Sequence, residues 1–263
     1  MKPTFLFVHG FGCDRQDWRM QVEALEPEFE VMTLDLPGHG EAPLPAIADL
    51  NALALAVVEA KSRCAAPVVL VGHSMGCRVV LETLRLSPSG VAGLVLVDGS
   101  ATGREHGPRL VTLLEERLRV NGMQASLRRN VEEMFNADSP SELRESAVAT
   151  ALRLDPAFAE QILRGLAQWD AAEALAPLAA SSLPVLAIQA TALGADMRRR
   201  SLLAGETSPW GRLVKSLRPD AKMLDIAGVG HFVHLESANE VNEALVAFGH
   251  SVASTAEQAA RGS

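Results

Sequence analysis

The chain is short of three things, and each shortage excludes a class. It has three cysteines in 263 residues, Cys13, Cys64 and Cys77, with no C-x-x-C pair and no even set. Free thiols in a reducing compartment are therefore expected, not a disulfide-stapled secreted scaffold. It has no apolar stretch of about 18 residues, and its opening Met1 to Val8 has one positive side chain and too short an apolar run for a signal sequence. A cytoplasmic protein with no membrane partner follows as the expectation, and the lack of any Asn-x-Ser/Thr acceptor agrees with it. It lacks basic clusters: the net charge is -8 and the longest basic run is Arg198, Arg199, Arg200. A nucleic-acid partner is not expected.

What the chain does have is enough apolar content to fold. With 48% hydrophobic and 21% charged residues it can bury a core and lacks the polar balance of a disordered protein. Six short apolar or β-branched runs recur: Thr4 to Val8, Glu30 to Leu34, Pro67 to Val71, Leu94 to Val97, Val185 to Gln189 and Lys222 to Ile226. Helical spacing fills the gaps, as in Trp18, Val22 and Leu25, in Leu53 to Val58, and in Val79, Val80 and Leu84. Strands alternating with helices imply an α/β fold, a parallel sheet covered on both faces.

That rhythm stops between about Ala101 and Ser182, where only helix signals occur. Ser139-Pro140-Ser141-Glu142 and Asp155-Pro156 both read as a capping residue followed by Pro at the first helical position. Residues 1–100 and 183–253 are expected to form the core, 101–182 an all-helical lid, and 254–263 a flexible tail. The lid's apolar residues, among them Leu110, Leu114, Met134, Phe135 and Trp169, sit at helical spacing and are read as core. Ser237 with Glu240 marks the start of the last helix, expected to reach about Phe248.

Chemistry concentrates at two glycine-rich turns. Val68 to Val71 runs straight into Gly72-His73-Ser74-Met75-Gly76 and then a helical pattern, which is G-x-S-x-G in a strand, sharp turn and helix. Such a turn lifts Ser74 to the carboxyl edge of the sheet as a candidate nucleophile. A serine hydroxyl needs a base and a donor pocket for the oxyanion. His9-Gly10-Phe11-Gly12, after the first strand, can bring the amide of Phe11 toward that of Met75. Gly228-Val229-Gly230-His231-Phe232, after the last strand, puts His231 at the same edge as the best base of seven histidines. His9 reads as a loop-fixing hydrogen-bonder, and His39, His73 and His234 as structural. Cys13 could line a pocket, and Cys77 should lie behind Ser74. Trp169 and Phe232 are the candidates for substrate contact.

His9-Gly10-Phe11-Gly12, Asp35-Leu36-Pro37-Gly38-His39-Gly40, the Ser74 turn and Gly230-His231-Phe232, in this order, resemble an α/β hydrolase of the esterase type. The resemblance implies an α/β-hydrolase fold with about six mostly parallel strands; the chain opens on the strand that is usually third, so the antiparallel leading hairpin is expected to be missing. It also implies a Ser-His-Asp triad, no cofactor, no metal, and a small to medium apolar ester-like substrate. Lactonases, carbon–carbon bond hydrolases and cofactor-free haloperoxidases or perhydrolases share that skeleton and are the alternative reading, with a non-catalytic binder of a hydrophobic ligand as a second. Oligomeric state is not readable.

The acid departs from the pattern. Where relatives carry Gly-x-x-Asp, this chain reads Ala190-Thr191-Ala192-Leu193. Two residues preserve the order of serine, acid and histidine: Asp98, which ends the Gly93 to Val97 strand, and Asp196, three residues late in an Arg-rich loop. Asp98 is preferred because a strand end aims a side chain more rigidly than a loop does.

Overall fold

The structure is a computed structural model and describes residues 2–169, 171–193 and 198–262. Six strands form one parallel sheet: β1 (Thr4–Val8), β2 (Glu30–Thr33), β3 (Val68–His73), β4 (Val91–Val97), β5 (Val185–Gln189) and, later in the chain, β8 (Lys222–Asp225), in the spatial order β2-β1-β3-β4-β5-β8. All six expected runs are strands. Alternation along each strand divides the sheet into two cores. Leu6 and Val8 of β1, with Leu70, Leu94 and Leu96, face α2 (Leu50–Ser62) and α3 (Met75–Leu86). Phe5 and Phe7, with Val69, Val71 and Val95, face α1 (Arg19–Leu25) and α10 (Ala238–Gly262). Strands buried on both faces explain their unbroken apolar runs. Truncating a core side chain such as Leu70 to alanine would cost about 2–5 kcal/mol.

Between β4 and β5 stand four helices, α4 (Thr102–Glu132), α5 (Ser141–Ala151), α6 (Pro156–Gln168) and α7 (Ala171–Ala180). The backbone of α4 breaks at Gly122, whose φ of 72° is left-handed. Asp155 caps α6 as its sequence suggests, accepting from the Phe158 amide at 2.9 Å. Ser139 does not cap α5. Its hydroxyl instead donates to Glu236 at 2.5 Å, and Pro140 takes the capping position without a side-chain bond. A third small core of Val131, Phe135, Val148, Phe232 and Leu235 joins this insert to the loop after β8.

Two features depart from expectation. The Arg-rich segment after β5 is not an open loop: β6 (Thr191–Leu193) and β7 (Arg199–Ser201) pair antiparallel. The last helix does not stop near Phe248, since α10 carries the chain through residues 254–262, the stretch expected to be a tail. The remaining described elements are α8 (Pro209–Leu217), the single turn α9 (Val233–Glu236) and a 3-10 turn at Arg15–Trp18. No described helix is long and apolar enough to cross a membrane.

Candidate active site

Ser74 sits where β3 turns into α3, with φ 54° and ψ -114°, a conformation that L residues rarely adopt. Two glycines allow it. A Cβ at Gly72 would overlap the carbonyl of Gly76, and one at Gly76 would overlap the carbonyl of Val8. The Ser74 amide is held by the Val97 carbonyl at 2.9 Å, which fixes the turn to the adjacent strand.

The histidine and the preferred acid meet this serine. His231 Nε2 lies 2.7 Å from Ser74 Oγ, and His231 Nδ1 lies 2.6 Å from Asp98 Oδ2. The imidazole is held from behind by its own backbone: the His231 amide donates to the Met134 carbonyl at 2.8 Å and its carbonyl accepts from His73 Nε2 at 3.0 Å. Glu236 accepts from the Gly230 amide at 3.1 Å and from Ser139, closing the same loop. Asp196 lies outside the described residues.

Asp98 is fully buried at the end of β4 and also has a left-handed φ, 46°. Its Oδ1 accepts from the amides of Ala190 and Thr191, both at 2.9 Å, and its Oδ2 from the Thr191 hydroxyl at 2.5 Å. Arg199, on β7, approaches Oδ2 at 3.4 Å and donates to Thr191 Oγ1 at 2.6 Å. Burial alone would raise the carboxyl pKa, but the bond to His231, the charge of Arg199 and the Thr191 hydroxyl together bring it below the usual value. Burial, with the charge of Arg199 adding to it and Asp98 opposing, lowers His231 to about 4. The imidazole is thus neutral at physiological pH and free to accept a proton at Nε2, with Nδ1–H directed at Asp98.

Four other histidines are buried in the fold outside this chain of hydrogen bonds. His9 Nε2 accepts from the Leu36 amide at 3.0 Å, while His39, His73 and His234 are buried with lowered pKa values because burial disfavours their charged forms. Cys77 lies behind the serine turn, its thiol donating to the Gly72 carbonyl at 3.0 Å and pushed up in pKa by burial. Cys13 is buried in the third core and does not border the cavity.

A cavity of about 260 Å³ opens beside Ser74, at the small end of ligand sites. Phe11 and Met75 both border it next to the serine, and Met75 opens α3, where first-turn amides have no partner within the helix. Three of the insert's apolar residues read as core line it instead: Leu110, Leu114 and Met134. The two residues expected to contact substrate, Trp169 and Phe232, are not among those that border this cavity. Phe232 is stacked on Phe135 at 4.7 Å in the third core, and Trp169 lies behind the wall, its Nε1 donating to Glu82 at 2.8 Å. Both rings are consumed by packing. Arg78, Arg117 and Arg199 also line the cavity, and none was read as a site residue from the sequence. Arg78 had a readable signal, a charge one turn past Ser74 inside the otherwise apolar stretch from Met75 to Leu81.

A nucleophile-type turn after β3, a buried aspartate after β4 and a neutral histidine in the loop after β8, all at one edge of a six-stranded parallel sheet, define an α/β-hydrolase-type site. Residues 5–244 match the alpha/beta hydrolase family, and the chain belongs to it. It is 40% identical over 98 residues to the pimeloyl-acyl-carrier protein methyl ester esterase of Methylococcus capsulatus, a match covering 37% of each chain. It is 30% identical over 257 residues to the dihydrolipoyllysine-residue acetyltransferase component of the acetoin cleaving system of Pseudomonas putida, covering 92% of this chain and 62% of that one. Less than two thirds of either relative is thus spanned. An esterase from Exiguobacterium antarcticum superposes with a TM-score of 0.78 at 18% identity, over 94% of this chain and 92% of that one.

Proposed function

We propose that the protein hydrolyses a carboxylic ester, or a related acyl bond, through an acyl-enzyme on Ser74. The observation that carries this reading is the unbroken chain Asp98 Oδ2, His231 Nδ1, His231 Nε2, Ser74 Oγ, with both hydrogen bonds under 3 Å. His231 takes the Ser74 proton as Oγ attacks the carbonyl carbon. The amides of Phe11 and Met75 hold the oxyanion, and Asp98 keeps Nδ1 protonated so that the developing imidazolium is stabilised. The intermediate collapses as the leaving alcohol takes that proton from Nε2. Water, deprotonated by the same nitrogen, then releases the acid. No cofactor enters this sequence of steps.

In the same reading α4 to α7 act as a cap on a core of residues 1–100 and 183–253, since their leucines form one wall of the cavity beside the serine. The three free thiols favour a reducing, cytoplasmic setting.

Labelling by a fluorophosphonate, followed by peptide mass mapping, tests the proposal together with a panel of p-nitrophenyl esters. Expected is a label on Ser74, absent from Ser74→Ala and His231→Ala, with turnover of short-chain esters. A label without ester turnover would move the chemistry to lactones, carbon–carbon bonds or perhydrolysis. An unlabelled serine with no turnover would make the protein a binding module.

A further inference from the structure

Resting on the acyl-enzyme reading above, we propose that Arg78 is a carboxylate-binding residue of the substrate site, so that the preferred acyl group carries a negative charge a few bonds from the scissile carbonyl.

Three observations on the wall of the cavity lead there. Arg78 stands four residues after Ser74 on the helix that Ser74 begins. Positions four apart lie on one helix face, and long helical side chains lean back toward the N-terminus, which carries this guanidinium toward the serine and into the cavity that both border. The residue is 7% exposed, and its hydrogen bonds go to neutral acceptors, the Leu166 carbonyl and Ser100 Oγ at 3.2 Å. No carboxylate among the described residues pairs with it. The acid near its other face is already committed, since Glu82 accepts from Trp169 Nε1 and from Arg85 at 2.7 Å. Trp169, 5.2 Å beneath the guanidinium, supplies a ring face but no charge.

A buried guanidinium with five donors and no counter-ion is costly unless an anion completes it. Burial lowers its pKa to about 10, so it remains charged near neutrality. The rest of the wall agrees in sign: Arg117 and Arg199 border the same space, and none of its described lining residues is acidic. Arg199 is engaged with Asp98 and Arg117 approaches Glu133 at 3.8 Å, so among the described residues Arg78 is the one of the three with no carboxylate paired to it.

The direction of the chemistry selects the acyl side. The leaving oxygen must meet His231 Nε2 to be protonated, and His231 is not among the residues that border the cavity. The acyl part therefore occupies the arginine-lined space. The apolar substrate expected from the leucine-rich insert becomes an acyl chain with an apolar stem and an anionic end. Arg78 could instead be only a staple between α3, α6 and the turn after β4, and that role would give no preference for charge.

The test compares mono-p-nitrophenyl glutarate with p-nitrophenyl valerate, which match in chain length and differ in the terminal carboxylate. Wild type should favour the glutarate by about ten- to a hundredfold in kcat/KM, the range expected of a charge-assisted hydrogen bond. Arg78→Met should remove that ratio mainly through KM of the charged ester, and Arg78→Lys should restore part of it, with thermal melts verifying that both variants fold. Equal or faster turnover of the valerate by wild type, or an unchanged ratio in a folded Arg78→Met, would overturn the assignment. Calorimetric titration of glutarate into Ser74→Ala, with and without Arg78→Met, reads the site without turnover. Glutarate binding that needs Arg78 supports the site even if the serine proves unreactive to fluorophosphonate, and no binding to Ser74→Ala rejects it even if simple esters are cleaved.

Discussion

The ends of β3 and β4 lie side by side and solve one problem in two ways. Each carries a non-glycine residue with left-handed backbone, Ser74 at φ 54° and Asp98 at φ 46°. At the end of β3 the strain is accommodated by what is missing, the side chains of Gly72 and Gly76. At the end of β4 it is held by what is present, a carboxylate receiving the amides of Ala190 and Thr191, the Thr191 hydroxyl, the imidazole and Arg199. A turn made possible by glycines leaves a mark in the sequence. One held by contacts from another strand leaves almost none.

The largest effect should come from the β3 end. Ser74→Ala should reduce ester turnover by about 10⁴ or more, and adding His231→Ala should cost little further because the two residues act as a unit. Steady-state kinetics of the single and double variants checks this, and an additive double variant would separate the pair. At the β4 end Asp98→Asn should reduce kcat by about 10³ to 10⁴. Its carbonyl can keep the amides of Ala190 and Thr191, but its NH₂ would face Nδ1 and favour the tautomer that cannot take the Ser74 proton. A loss under tenfold would leave the orientation of His231 to another group, with Asp196 the next to test.

Smaller changes probe the contacts rather than the carboxylate. Thr191→Val keeps the amide bond and removes the hydroxyl, with its bonds to Asp98 Oδ2 and from Arg199, so a loss of about 1–3 kcal/mol in stability is expected by denaturant unfolding. The same change has no counterpart at the β3 end, where no described residue of β6 or β7 hydrogen-bonds Ser74. Arg199→Met should raise the proton affinity of His231, whose pKa is lowered by burial and then by that charge. The acid limb of kcat/KM, expected near pH 4 in wild type, should move upward, and pH profiles of the two proteins decide it.

A last, global test follows from the buried histidines. His39 and His234 are lowered to about 3 and His231 to about 4, in each case chiefly by burial. An unfolded chain takes up these protons near pH 6.5 and the folded one does not. Stability should therefore be complete above about pH 6.5 and fall as pH drops toward 4, by about 1.4 kcal/mol per pH unit for each histidine that titrates only on unfolding. Urea unfolding at pH 7.5, 6 and 5 measures the slope.

The same contrast accounts for what could be read in advance. The four inner sheet strands were legible because burial on both faces writes itself as continuous apolar runs, the half-exposed edge strands β2 and β8 only as short mixed runs, and Ser74 and His231 because their turns need glycines. Asp98 was legible only as a residue abutting a strand. Its donors were not: Thr191 is an ordinary residue, and Arg199 belongs to a three-residue strand too short to show a period. The fate of the insert's leucines was equally hidden. Leu110 and Leu114, which line the cavity, and Ile162, which is wholly buried, share the same helical spacing, and only tertiary packing separates wall from core.

Asp98 also ties together parts of the chain a hundred residues apart. Its carboxylate is shared between the imidazole on one side and Thr191 and Arg199 of the β6–β7 hairpin on the other. Proton affinity and hairpin position are then linked, and linkage is reciprocal. Seating the hairpin makes Asp98 a weaker base, and ionised Asp98 in turn favours the seated hairpin. Whatever draws Arg199 away raises the proton affinity of both partners in the Asp98–His231 pair, so a ligand that touched only the hairpin would be felt at the nitrogen beside Ser74.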